Sequence, residues 1–146
     1  MQRLPRLQRN AARLGVDIGV LSTEYSKFAL ATKGTNLEGE KTKDIFLSVA
    51  EAARVNRTST AEMSGVFVAL AQIASKGAVQ MEELRQQLGD RLPGALQLMA
   101  DGLKVSTAEL IAMMEQGQVS ADALVPFAKE LDERFGPGLA EALQGT

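Results

Sequence analysis

Apolar residues recur at three- and four-residue steps along most of this chain, in stretches that glycine or proline cuts short at Gly34, Gly77, Gly89, Pro93, Gly117 and Gly136. That spacing is the signature of amphipathic helices, and the punctuation forbids one long helix. β-Branched and aromatic residues never alternate with polar ones for long enough to draw a strand, so the expected fold class is all-α, a compact multi-helix module of about seven short helices.

The expected helices follow from their faces and stops. A first runs from Leu4 to Leu14 before Gly15, and a second from Val20 to Lys33 with Leu21, Tyr25 and Phe28 on its buried stripe. Thr42 is placed to cap a third, in which Ile45, Phe46, Val49, Ala52 and Ala53 form the apolar face. Ser59-Thr60-Ala61-Glu62 has capping-box form and opens the most regular segment, with Met63, Val66, Phe67, Leu70, Ile73 and Ala74 on one side and Gly77 at its end. The core is expected there.

A short helix carrying Leu96, Met99 and Leu103 comes later. Ser106-Thr107-Ala108-Glu109 then repeats the box ahead of Leu110, Ile111, Met113 and Met114. Ser120 is placed to cap a turn leading to Pro126, and Phe127, Leu131 and Phe135 follow at steps of four before Gly136-Pro137-Gly138. Leu139 to Leu143 is a short terminal fragment. At an offset of forty, Leu70, Ile73, Gly77, Val79 and Leu84 echo Leu110, Met113, Gly117, Val119 and Leu124, a pattern compatible with two similar helical hairpins.

Composition removes most enzyme plans. The chain holds no cysteine and no histidine. It therefore has no disulfide framework, no thiolate nucleophile and neither of the commonest zinc ligands. Paired-carboxylate chemistry stays open in form only, because 18 acidic residues supply some such pair by chance. No catalytic residue, cofactor or metal site is assigned. Six methionines read first as core filling.

Charge is small overall, at −2, but uneven: Arg3, Arg6, Arg9 and Arg13 stand in a first fifteen residues that contain no acid. Those arginines lack an aromatic platform for base stacking, which with the acidic remainder argues against nucleic acid. No apolar run approaches the ~20 residues of a membrane span, and nothing resembles a secretory signal.

The most informative run is Glu82-Glu83-Leu84-Arg85-Gln86-Gln87-Leu88-Gly89-Asp90-Arg91-Leu92-Pro93-Gly94-Ala95. On a helix, Leu84, Leu88 and Leu92 would stack on one side and Glu82 could pair with Arg85 on the other. Gly89 suits a helix C-terminus, and Pro93 the first turn of the next helix.

This run follows Asp44-Ile45-Phe46-Leu47-Ser48-Val49-Ala50-Glu51-Ala52-Ala53-Arg54-Val55, then Ser59 to Met63, then Val66 to Gly77. It precedes Val105 to Leu110 and the Gly117 to Phe127 turn. In that order the segments resemble the shared module of tail tape measure proteins of long-tailed phages and prophages, over about residues 14 to 136. Departures are mild: Gln86 and Gln87 stand where that pattern often has one glycine, and Lys104 where glycine commonly follows the preceding leucine.

The resemblance implies a non-enzymatic, structural role in setting tail length. The implied partners are tail tube, tail tip and tail assembly chaperone proteins, with self-association open and no small-molecule substrate. The implied location is the host cytoplasm during assembly and then the tail lumen. It divides the chain into a basic N-terminal helix at 1–15, the tape measure helical domain at 16–136 and a short tail at 137–146. It also marks Glu82, Glu83, Leu84, Arg85, Leu88, Leu92, Pro93 and Gly94 as family-motif residues for structure or partner contact. Two rivals remain, a nucleic-acid-binding helical module and a segment adjoining a peptidoglycan-cleaving domain. At ~1.5 Å per residue a continuous helix of this chain would measure only roughly 220 Å, and the breaks forbid even that. The elongated measuring region is therefore expected outside this segment.

Overall fold

One-sided apolar spacing produces six α-helices and no β-strand among residues 18–138, the part that the computed structural model describes. They are α1 (Ile18–Thr32), α2 (Glu40–Val55), α3 (Thr60–Lys76), α4 (Ala95–Leu103), α5 (Thr107–Glu115) and α6 (Leu124–Phe135). A π-helical segment, Glu82–Leu88, lies between α3 and α4, and single 3-10 turns at Ala121–Ala123 and Gly136–Gly138 flank α6. The expected Leu4–Leu14 helix, the basic end at 1–15 and the Leu139–Leu143 fragment fall outside the described residues.

Helix α6 forms the hub. Phe127 and Leu131, four apart, are fully buried where α6 packs against both α2 and α4. On the other side α1 lies along α3, and rings join the layers. Phe46 of α2 stacks on Phe67 of α3 with centroids 4.4 Å apart, while Tyr25 of α1 meets Phe46 edge-on at 5.2 Å. Burying such rings contributes roughly 1.5–3 kcal/mol each. Met63, Met99 and Met114 are buried in the same core, as core filling requires.

The strongest local signals behave as their chemistry dictates. The Ser59 hydroxyl accepts from the Glu62 amide at 3.1 Å, and α3 ends on Gly77 with φ 77°, a left-handed conformation suited to glycine. The return arm of that box is absent, because the Glu62 carboxylate accepts from the Ser59 hydroxyl instead of its amide. At Ser106 both arms form: Oγ accepts from the Glu109 amide at 3.1 Å and the Ser106 amide donates to Glu109 Oε1 at 3.0 Å. The Ser106 amide first, and then its hydroxyl, hold the Glu109 carboxyl below its ordinary pKa.

Two expected caps are corrected. Helix α2 starts three residues earlier, on Gly39 at φ 93°, and Thr42 turns inward. Its hydroxyl donates to the Leu37 carbonyl and shares a 2.7 Å hydrogen bond with Thr32, tying α1 to α2. A buried hydroxyl left without partners would be costly, and these two satisfy it. Ser120 occupies a cap position without a side-chain cap bond, since its extended backbone forms an antiparallel bridge to Ala78.

That bridge gives the offset-forty echo a physical counterpart. The Val79 amide donates to the Val119 carbonyl at 2.8 Å and the Ala121 amide to the Gly77 carbonyl at 2.9 Å. The two Gly-x-Val connectors thus lie side by side, with both valines buried.

Candidate functional site

The Glu82–Ala95 run is built on the far side of this bridge, against α3 and α4. Its backbone does not wind as an α-helix. The Gly89 amide donates to the Leu84 carbonyl at 3.0 Å, a bond that spans five residues and sets π winding over Glu82–Leu88. Gly89 ends the segment as expected, but in right-handed geometry at φ −61°, so the left-handed cap role is corrected. Its glycine serves a different need: a Cβ there would stand 2.3 Å from the Arg85 carbonyl oxygen.

Leu84 and Leu88 are fully buried on one side of this turn, as the spacing requires. Leu92 is also fully buried, although it reaches the core from the turn after the helix, not from a continued stripe. Pro93 likewise falls outside the next helix. Gly94, at φ 84°, is the N-cap of α4, so Pro93 sits one residue before it.

The charges are arranged differently from the sequence expectation. Glu83, not Glu82, makes the ion pair of this run: its Oε2 lies 3.0 Å from Lys76 Nζ, and Lys76 also donates to Gln80 Oε1 at 3.2 Å. Glu83 is 1% exposed, and its Oε1 has no hydrogen-bond partner. The outward face presents Glu82, Arg85, Gln86, Asp90, Pro93 and Gly94 to solvent.

Two contacts that anchor the run escaped the sequence reading. Arg91 lies across Gly65 of α3 so closely that a Cβ on Gly65 would approach its Nε to 2.7 Å, and Arg91 Nη1 donates to the Gln87 carbonyl at 2.8 Å. The usable signal was a glycine inside an otherwise strong helix, which marks close approach of a neighbour. Lys104, noted where glycine is commoner, follows α4 at φ 61°, which explains the preference for glycine there.

Among the described residues no group of three or more acidic, histidine or cysteine side chains could hold a metal ion, and no helix is long and apolar enough to cross a membrane. Large apolar side chains stand exposed elsewhere at Leu30, Val68 and Val125.

Comparison with known proteins gives this arrangement a context. A family model described as tape measure protein matches residues 2–145. A protein of Salmonella phage Felix O1 (isolate Felix O1-VT1), described as a probable tape measure protein, is 37% identical over 120 residues, which are 82% of this chain. The matched stretch is 16% of that relative's length. No solved structure matches.

Proposed function

Because the chain belongs to the tape measure protein family, a family of phage tail structural proteins, we propose that it forms a compact, non-enzymatic assembly module of the tail. The observation that carries this reading is the family match across nearly the whole chain together with the shape of its elements. The longest described helix, α3, has 17 residues and at ~1.5 Å per residue reaches only about 25 Å. Such a module does not itself span a tail. In this reading it is a folded unit within a longer protein whose elongated part sets tail length, and residues 16–136 are its bounds.

Partner contact is assigned to the outward face of the Glu82–Gly94 run. Its buried leucines hold the turn on α3 and α4, while Arg85, Gln86, Asp90 and Pro93 face outward from it. Tail tube, tail tip and tail assembly chaperone proteins are the proposed partners, met first in the host cytoplasm and then in the tail lumen.

The test is sedimentation and chemical crosslinking of the chain with each cognate tail protein. Crosslinks that map to Glu82–Gly94 and disappear in an Arg85→Glu, Gln86→Glu variant support the assignment. Association through other surfaces would move the docking face, and no association with any of these proteins would end the proposal.

A further inference from the structure

Two local costs fall on the same seven residues. One is the π winding itself, which is rare and persists only where surroundings impose it. The other is Glu83, a carboxylate 1% exposed with one oxygen on Lys76 and the other without a partner. Burying a carboxylate is costly unless it is paired and fully hydrogen-bonded, and this one is half satisfied.

The two costs are geometrically linked. At about 100° per residue an α-helix would keep Leu84 and Leu88 within about 40° of each other and set Glu83 about 100° and 140° away from them. π winding turns less per residue and brings Glu83 round toward Leu88. An α-wound run would therefore keep both leucines inward and release the carboxylate to water. With both leucines held inward, the short lead-in from Gly77 to Met81 would absorb the change, and it already carries one left-handed glycine.

We infer that Glu82–Leu88 is a two-state register element, in which the Lys76–Glu83 pair is the latch that selects π winding. Loss of the latch converts the run to α winding, turns Glu83 outward and re-aims Glu82, Arg85 and Gln86 on the surface. The inference stands on the chain's own geometry and holds whether or not that surface meets tail proteins.

Gly89 reports the register directly. Its amide bonds the Leu84 carbonyl in the π state and would bond the Arg85 carbonyl in the α state, which NMR couplings across hydrogen bonds distinguish in the isolated 146-residue chain. In the unmodified chain the coupling is to Leu84. In Lys76→Met it moves to Arg85. In the Lys76→Met, Glu83→Met double variant it returns to Leu84, because no charge is left to expel. Gly89→Ala, whose Cβ cannot sit 2.3 Å from the Arg85 oxygen, moves the coupling to Arg85 with the latch intact.

A Lys76→Met chain that keeps the Leu84 coupling overturns the inference, even with uniformly lower stability. So does a double variant that fails to restore it. Should Gly89→Ala not fold, the comparison of Lys76→Met with the double variant decides alone.

Discussion

Helix α3 and the run that follows it are made from the same ingredients and end up with different backbones. Both carry apolar residues at helical spacing, charges on the opposite side and a glycine at the end. Helix α3 is a regular α-helix that begins on its own serine and stops on a left-handed glycine. The run is π-wound and stops on a right-handed one. The difference lies in redundancy. Cap, apolar face and stop agree in α3, so packing reinforces the winding that local energetics already favour. In the run, α3, α4 and the Gly77–Ser120 connectors hold both ends, and winding adjusts to fit.

The sharpest way to break this contrast is at the aromatic stack. Phe67→Ala removes a ring that is 2% exposed and stacked on Phe46, and is expected to cost about 3–5 kcal/mol in urea unfolding. A loss below about 1 kcal/mol would show that α3 does not anchor the core.

The two terminal glycines sharpen it further. Gly77→Ala places a side chain at φ 77°, with an expected loss of about 1–2 kcal/mol and an unchanged backbone elsewhere. Gly89→Ala has no such φ penalty, so its stability change is expected to arise from rewinding, seen as amide shift changes spread over Glu82–Leu88. Equal and purely local responses would erase the distinction.

Ser59→Ala is expected to cost about 1 kcal/mol, since the Glu62 amide loses its acceptor. Lys104→Gly is expected to gain about 0.5 kcal/mol by relieving a left-handed lysine, read as a rise in Tm.

The smallest effect concerns pH. Glu109 titrates below its ordinary value because Ser106 stabilises its charged form. Its contribution is therefore complete above the unfolded-state pKa and is lost as pH falls through the lowered folded one. Ser106→Ala, which leaves the backbone amide in place, should raise the Glu109 titration midpoint part of the way, followed by carboxyl NMR, and an unmoved midpoint would show that the hydroxyl does not help to hold the carboxylate.

Legible in the residues alone were the helical class, the helical segments apart from the start of α2, the inward leucines of the run and the family. All but the family follow from spacing, capping and stop residues that act within a few positions of one another, and the family rests on the order of its motifs along the chain. Thr42 shows where that reasoning stops, since its inward turn depends on Leu37 and Thr32 being near it in space. The site shows it more strongly. Packing in three dimensions is what pairs Glu83 with Lys76, lays Arg91 across Gly65 and winds the run as π. Each of those outcomes is set by what lies across a packed interface, where fitting a neighbouring helix outweighs a preference worth a few tenths of a kcal/mol per residue.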